Sequence, residues 1–227
     1  MIIQRAYHQA SFDIFAEEGS RRICYILVPD GVVDDARKWA EPAAVKFNTN
    51  MVLVSGMDWN HDMSPWSAEG VMKKEKKFSG GGPMYLQGLV TDFIPYIDQI
   101  LKLQSPARYL VGVSLSGLFT LWSLAKADCF EGVASISGSL WFDGFTEWLA
   151  KTALKSEAKV FMSLGNKEKN TSDKRMSKVE DCTKETVSIL QSKGLDVTFE
   201  MVAGTHFSPL APRLDRAAAC LLAPTDI

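Results

Sequence analysis

The sequence predicts an α/β fold in which a mainly parallel central sheet is covered by helices on both faces, as a three-layer sandwich. First, short apolar runs alternate along the chain with longer segments of helical periodicity, the order that builds parallel sheets. Second, from Met51 onward the apolar runs are nearly continuous, as in strands buried on both faces. Third, 227 residues with 46% hydrophobic and 23% charged side chains suit one globular domain, which we assign to residues 1–227.

Seven apolar runs have the length of strands, and polar or glycine-containing segments bound them. They are residues 12–16, 22–28, 51–55, 108–113, 132–136, 159–163 and 196–202. Only residues 17–21, around Gly19, separate the first two runs. This short connection predicts that these two strands pair as an antiparallel hairpin at one edge of the sheet.

Six longer segments between the strands have helical periodicity. They are residues 34–47, 84–103, 115–127, 146–154, 175–193 and 212–222. Within residues 84–103, Pro95 interrupts an otherwise regular apolar pattern. Because proline removes one backbone donor and clashes with the preceding turn, it predicts a bend in that helix.

The composition excludes several classes of protein. With 25 Lys+Arg and 27 Asp+Glu the formal net charge is -2, which argues against a general nucleic-acid binder. No apolar run approaches the roughly 18 residues of a membrane span, and residues 1–6 lack the apolar stretch of a secretory signal. The four cysteines form no CxxC pair and suit reduced thiols. We therefore expect a cytoplasmic protein with neither nucleic-acid nor membrane partners.

The junction between the strand at 108–113 and the following helix is the predicted site of a nucleophile. Ser114 lies there, between Gly112 and Ser116. In a nucleophile elbow, a serine on a sharp strand-to-helix turn exposes its hydroxyl at the edge of the sheet, and the residues two before and two after it must be small. The pattern G-x-S-x-S departs from G-x-S-x-G at Ser116, which we interpret as a helix cap or a packing residue. The alternative is that Ser114 itself only caps the helix.

A serine nucleophile needs a base, and the chain has three histidines, His8, His61 and His206. His206 follows the last strand and precedes the last helix, so its loop faces the predicted elbow across the same sheet edge. We predict His206 as the base. The alternative is a histidine that only satisfies hydrogen bonds in a C-terminal turn.

The acid that orients this base is predicted to be Glu168. It lies three residues after the Gly165 turn that ends the strand at 159–163. A carboxylate there can hold the imidazole in one tautomer and stabilise the imidazolium. Asp173 is the second candidate, and the plain alternative is that Glu168 is one charge in a polar surface run.

The developing oxyanion needs two backbone amides. One is predicted to be that of Leu115, directly after the nucleophile, and the other that of Met57 or Trp59, in the loop after the strand at 51–55.

Aromatic residues in loops at predicted strand ends point to an apolar substrate pocket, although core packing explains them nearly as well. The pocket residues that we predict are Trp66, Trp141 and Phe207.

Three further patterns are weaker and predict no metal and no cofactor. Asp58, His61 and Asp62 share one loop but lack the partners of a stable metal site. The lysine-rich residues 73–77 are interpreted as a solvated loop. The glycines at 80–82 lack the Lys and Ser/Thr of a phosphate-binding loop, so we interpret them as a flexible lead-in to a helix.

Separated pieces of the chain resemble one known family. They are residues 62–66, 78–86, 112–118, 137–141, 163–168 and 204–206. These pieces resemble the putative esterase branch of the α/β-hydrolases, which includes esterase D and enterochelin esterase. The resemblance implies the α/β-hydrolase fold and a serine triad at Ser114, Glu168 and His206. Asn166 stands where the family often has Asp. His61 stands where enterochelin-type members often have Arg, which weighs against a siderophore substrate.

These observations predict a serine hydrolase that cleaves a carboxylic ester of a small molecule through an acyl-enzyme. A thioesterase or an acyltransferase would use the same three residues. A catalytically silent fold used for binding is the alternative from another class. The sequence leaves open whether the protein forms a homo-oligomer.

Overall fold

The structure of the protein is a computed structural model that describes residues 2–7 as backbone, and residues 10–71, 77–155 and 157–223 with their side chains. His8 and Lys73–Lys76, which the sequence analysis considered, lie outside the described residues.

An eight-stranded sheet forms the centre of the molecule, with the strand order β1-β2-β4-β3-β7-β8-β9-β10. Its strands are β1 (Ile2–Tyr7), β2 (Ala10–Phe15), β3 (Arg22–Leu27), β4 (Asn50–Ser55), β7 (Ala107–Val113), β8 (Gly132–Ile136), β9 (Lys159–Gly165) and β10 (Val197–Val202). A separate two-stranded ribbon consists of β5 (Ser67–Ala68) and β6 (Phe78–Ser79). From β4 to β10 all neighbouring strands of the large sheet are parallel. The predicted fold class is therefore confirmed.

The predicted hairpin between residues 12–16 and 22–28 is wrong. Strand β2 pairs antiparallel with β1 and with β4, whereas β3 pairs parallel with β4 and β7. Strand β4 lies between the two strands, and the side chain of its first residue, Asn50, accepts a hydrogen bond from the Glu17 amide at 3.0 Å and donates one to the Arg22 carbonyl at 3.0 Å. A β3–helix–β4 crossover therefore separates two strands that are neighbours in sequence.

Helices cover both faces of the sheet. They are α1 (Val33–Lys46), α2 (Trp59–Asp62), α3 (Gly82–Gly88), α4 (Ile94–Leu101), α5 (Leu115–Ser123), α6 (Phe145–Lys151), α7 (Val179–Ser192) and α8 (Ala211–Leu221). Helices α1 and α8 pack on one face, and α3 to α7 contribute to the core on the other. A π-helical turn, Leu89–Phe93, separates α3 from α4 directly before Pro95, at the place where the sequence predicted a bend. None of the described helices is long and apolar enough to cross a membrane.

The parallel strands bring four loops to one edge of the sheet. Strands β7, β8, β9 and β10 lie side by side, and in register Val113 is opposite Ile136, which is opposite Ser163. Because parallel strands all point the same way, the loops after them begin at the same edge. Ser114, Ser137, Glu168 and His206 follow these four strands.

Candidate active site

Ser114 occupies a strained turn between β7 and α5. Its φ of 60° and ψ of -121° lie outside the regions that most residues other than glycine adopt. The turn requires close backbone approach, because a Cβ added at Gly112 would lie 2.1 Å from the carbonyl oxygen of Ser116. This combination of an unusual backbone and a glycine two residues earlier is the geometry of a nucleophile elbow.

Ser116, the residue that departs from the usual glycine, is fully buried. Its hydroxyl accepts a hydrogen bond from the Val113 amide at 2.7 Å and has the Leu27 carbonyl of β3 as an acceptor at 2.7 Å. The side chain therefore ties the elbow to the neighbouring strand. This explains why serine is accommodated there, and it fits the packing interpretation of the sequence rather than a second nucleophile.

The three residues predicted to act together lie in one hydrogen-bonded row. His206 Nε2 is 3.1 Å from Ser114 Oγ, and His206 Nδ1 is 2.9 Å from Glu168 Oε2. An ionised carboxylate only accepts, so Nδ1 carries the proton and Nε2 is the acceptor for the serine hydroxyl. The side chain of Glu168 is 2% exposed and that of His206 is 29% exposed. The predicted acid is therefore shielded, while the predicted base reaches solvent.

Three donors hold the Glu168 carboxylate. Oε2 accepts from His206, and Oε1 accepts from the Ser137 hydroxyl at 2.6 Å and from the Gly165 amide at 2.7 Å. Burial alone would raise the pKa of Glu168, but the hydrogen bonds from His206, Ser137 and Gly165 outweigh burial and hold the pKa below its ordinary value. The carboxylate is therefore ionised and fixed in orientation.

Asp173, the second candidate for the acid, has other hydrogen-bond partners. Its Oδ1 accepts from the amides of Arg175 and Met176 at 2.8 and 2.9 Å. This carboxylate caps the turn that leads into α7. The structure pairs His206 with Glu168 instead.

His206 lies in the irregular segment between β10 and α8. A buried arginine of α8, Arg213, hydrogen-bonds with Nη2 to the carbonyls of Thr205, His206 and Ser208 at 3.2, 3.3 and 2.6 Å. Its Nη1 bonds the Ser137 hydroxyl. Sequence reasoning assigned no role to Ser137 or Arg213. Ser137 lies in one of the pieces that resemble the family, but no local signal distinguishes Arg213 from other helix arginines.

The predicted oxyanion donors occupy different surroundings. Leu115 begins α5 directly after Ser114, where the first amides of a helix have no intrahelical partner. Met57 is buried and Trp59 begins α2, both after β4. Strand β3 lies between β4 and β7, so the segment after β3, which includes the short helix Asp30–Val32, begins at this edge, next to the elbow strand. Sequence reasoning, which did not place β3 beside β7, overlooked that segment.

The predicted pocket residues Trp66, Trp141 and Phe207 have different neighbours. Trp66 packs edge-to-face against Phe142 and at a tilt against Trp148, and its Nε1 donates to the Asp143 carbonyl at 3.0 Å. Trp141 lies under the Arg175 guanidinium, and Phe207 is 92% exposed beside His206.

Two cavities of about 560 and 540 Å³ open on the α3 side of the molecule. Asp58, His61 and Tyr85 are among the residues that line the first, and Trp66, Trp122 and Trp148 among those that line the second. None of the three triad residues is among the described residues that line these two cavities.

The residues that invited a metal interpretation already have hydrogen-bond partners within the protein. Asp62 Oδ2 accepts from the Asp58 amide at 2.9 Å, and His61 Nδ1 is 2.7 Å from Ser79 Oγ. Within the described ranges, no group of three or more His, Cys, Asp or Glu side chains is placed to hold a metal ion. The amides of residues 80–82 bond to Ser64 and His61, so they are not presented to a phosphate.

Residues 15–209 match the family model described as putative esterase. The uncharacterized protein YbbA of Bacillus subtilis (strain 168) is 31% identical to this chain over 140 residues, which are 59% of this chain and 55% of that protein. The aligned part therefore spans little more than half the length of this relative.

Solved structures with the same fold include an IroE-like serine hydrolase from Shewanella oneidensis, at a TM-score of 0.79 and 18% identity, covering 98% of this chain and 79% of that one. The siderophore hydrolase EstA from Aspergillus nidulans has a TM-score of 0.74 and 16% identity, covering 98% and 93%. The BES protein from Bacillus cereus has a TM-score of 0.72 and 17% identity, covering 99% and 96%. Such identities establish the fold, which is that of the α/β-hydrolases.

Proposed function

The chain belongs to the putative esterase family, a family of carboxylic-ester hydrolases, and on that premise we propose that it cleaves small-molecule esters through an acyl-enzyme formed on Ser114, with His206 as base and Glu168 as the acid that orients it. The observation that carries the proposal is the continuous row from Ser114 Oγ through the imidazole to Glu168 Oε2, at 3.1 and 2.9 Å. Both distances are within the range for proton transfer and orientation.

In the first half of the reaction, Ser114 Oγ bonds to the ester carbonyl carbon as its proton passes to His206 Nε2. The carbonyl oxygen becomes an oxyanion. Glu168 stabilises the imidazolium by accepting from Nδ1–H and does not itself take the proton. When the intermediate collapses, the bond from carbon to the alcohol oxygen breaks and Nε2–H protonates the leaving alcohol.

In the second half, a water molecule attacks the acyl carbon and gives its proton to His206 Nε2. The bond to Ser114 Oγ then breaks, the serine regains its proton, and the carboxylic acid leaves. This cycle needs no external redox partner, and each proton that Nε2 takes is returned in the same half-reaction.

We assign the role of hydrogen-bond donor to the oxyanion to the Leu115 amide and to a second amide from the neighbouring loops. The elbow supports the first, because the Leu115 amide directly follows the nucleophile at the first position of α5, where the helix supplies no acceptor for it. Met57 and Trp59 remain our choices for the second, with the segment after β3 as the competing source. Removal of one such donor costs about 3–4 kcal/mol of activation free energy in comparable sites.

Siderophore hydrolases are among the structural relatives, but we do not assign a siderophore substrate to this chain. His61, which stands where enterochelin-type relatives often have Arg, lies in α2 and is hydrogen-bonded to Ser79 of strand β6. A panel of aryl and alkyl esters and their thioester analogues, graded in acyl length, would separate ester from thioester cleavage and define the preferred size.

The proposal is tested by labelling with a fluorophosphonate and by intact mass. The native protein should gain one adduct, on Ser114, and His206→Gln should slow labelling by several orders of magnitude, because the serine loses its base. His61→Gln is the matched control, since that histidine also bonds a serine, and should label at the native rate. A correctly folded native protein that gains no adduct would favour the catalytically silent alternative.

A further inference from the structure

Arg213 is a buried cation that contacts both the acid and the base of the triad. The residue lies in the first turn of α8 and is 5% exposed. Its Nη1 bonds the Ser137 hydroxyl and is 3.7 Å from Glu168 Oε1. Its Nη2 donates to three carbonyls of the segment that carries His206. One guanidinium therefore connects α8 to the loops after β8, β9 and β10.

The burial of this arginine has a cost that surface arginines do not have. Burial lowers the pKa of the Arg213 guanidinium from its ordinary value, and the nearby Glu168 carboxylate opposes that effect. A buried charge persists only where it is paired and hydrogen-bonded, as Arg213 is. Arg216, one turn further along α8, bonds Glu200 at the surface and touches none of the three triad residues among the described contacts.

Arg213 adds three hydrogen bonds to the loop that carries His206, beside those that Gly204, Thr205 and Ser208 make with nearby residues. No helix or strand includes residues 203–210, so the backbone there lacks the regular ladder that fixes Ser114 and Gly165. The carbonyls of Thr205, His206 and Ser208 converge on one nitrogen of Arg213 instead. A planar guanidinium presents its donors in a fixed geometry that a lysine ammonium cannot reproduce.

The acid is held through a second route. Ser137 donates its single hydroxyl proton to Glu168 Oε1 and accepts from Arg213 Nη1. The positive charge of Arg213 therefore polarises the hydroxyl toward the carboxylate and offsets part of the carboxylate's charge as His206 experiences it.

We propose that Arg213 is the positioning residue of this site: it holds the His206 loop and, through Ser137, the Glu168 carboxylate, and its charge offsets part of the carboxylate's charge at the imidazole. The inference rests on the triad proposed above. The charged groups that face this pair are Arg213 from α8 and the two members themselves, and the hydroxyls that face it are those of Ser137 and Ser114.

The test measures kcat, KM and the acid limb of the kcat/KM–pH profile for Arg213→Met, Arg213→Lys and Ser137→Ala, with Arg216→Met as the matched control on the same helix. The methionine variant removes the charge and the donors, so kcat should fall about 100-fold through misplacement of the base. Because the charge of Arg213 then no longer offsets part of the negative charge of Glu168 at the imidazole, the acid limb should move to higher pH by about one unit.

The other variants separate charge from geometry. Arg213→Lys keeps the charge, so its acid limb should stay near the native position while kcat recovers only in part. Ser137→Ala removes one donor to Oε1, so kcat should fall roughly tenfold and the acid limb should move in the same direction as in Arg213→Met. Arg216→Met should match the native enzyme in both measurements.

A folded Arg213→Met with native kcat and a native acid limb would overturn the inference. So would a loss of kcat with no shift of the limb and no recovery in Arg213→Lys, since that pattern belongs to a merely structural residue. If Arg213→Met does not fold, the profiles of Arg213→Lys and Ser137→Ala decide in the same way. Fluorophosphonate labelling of the native enzyme distinguishes these results from failure of the triad itself, which would abolish labelling at Ser114 in every variant.

Discussion

Two histidine–serine pairs are hydrogen-bonded among the described residues, and the groups around the two hydrogen bonds differ. His206 Nε2 is 3.1 Å from Ser114 Oγ, and His61 Nδ1 is 2.7 Å from Ser79 Oγ. On distance alone the second pair is the tighter one. Ser114, however, has a positive φ at the end of a central strand, whereas Ser79 lies in the short ribbon strand β6 without one.

The second nitrogen of each imidazole shows the larger difference. In His206 it donates to a buried carboxylate that two other donors hold. In His61 it faces the backbone of Gly81, and the adjacent Asp62 uses Oδ2 to cap its own loop. A base must be oriented and its charged form stabilised before it can activate a hydroxyl. The two pairs therefore share a histidine–serine hydrogen bond, and only the His206 pair has the surroundings that the proposed reaction requires.

The largest expected difference between the two pairs comes from removal of the serines. Ser114→Ala should lower kcat for a short-chain aryl ester by roughly 10⁶-fold, because the nucleophile of an acyl-enzyme mechanism is lost. Ser79→Ala should change kcat by no more than about twofold. Initial-rate assays measure both. Full hydrolysis by Ser114→Ala would assign the nucleophile elsewhere.

The second largest difference in kcat is expected from replacement of the carboxylates near the two pairs. Glu168→Gln keeps the shape of the side chain but no longer stabilises the imidazolium, so kcat should fall about 10⁴-fold. Asp62→Asn and Asp173→Asn change carboxylates that only cap their own loops and should retain near-native kcat. A large loss in Asp173→Asn with native activity in Glu168→Gln would transfer the role of the acid to Asp173.

The glycines beside each pair provide a smaller contrast. In Gly112→Ala the new methyl group would meet the Ser116 carbonyl at 2.1 Å, and this rigid backbone cannot yield, so the free energy of unfolding should fall by about 1–3 kcal/mol. In Gly81→Ala the methyl group meets the His61 ring, a side chain that can rotate away, so the loss should be about 1 kcal/mol or less. Urea unfolding measures both, and equal losses would contradict the rigid elbow.

The smallest expected effect is on how the free energy of unfolding depends on pH, where Glu168 and Asp62 should contribute with opposite signs. The pKa of Glu168 is lowered in the folded state, so its contribution to stability is complete above its ordinary value of 4.5 and is lost as pH falls through the folded pKa. Burial raises the pKa of Asp62 above its ordinary value of 3.8, so its contribution is present below 3.8 and is lost as pH rises through the folded pKa.

Urea unfolding of Glu168→Gln and Asp62→Asn between pH 3 and pH 7 should therefore give opposite slopes relative to the native protein. The native advantage over Glu168→Gln should grow with pH, by up to about 1.4 kcal/mol for each unit that separates the folded and unfolded pKa of Glu168. Parallel slopes for the two variants would contradict the different environments of the two carboxylates.

Much of the fold follows from local patterns. The strands at 108–113, 132–136 and 159–163 coincide with most of β7, all of β8 and most of β9. A short continuous apolar run between turns is typical of a strand that is buried on both faces. The helix at 175–193 begins later than predicted, at Val179, after a turn that Asp173 caps. Residues 84–103 divide at the π-helical turn, because Pro95 removes a donor that a regular helix would need.

By itself, the sequence determined the strand–turn–helix at Ser114 and the positions of Glu168 and His206 after two other strands, since these depend on chain order and on residue types. Only the tertiary structure decided three other features. They are the position of β4 between β2 and β3, the placement of the segment after β3 beside the elbow, and the convergence of Ser137 and Arg213 on Glu168. The physical reason is that crossover connections set strand order over long distances, so residues 76 positions apart, such as Ser137 and Arg213, meet only when the sheet is assembled.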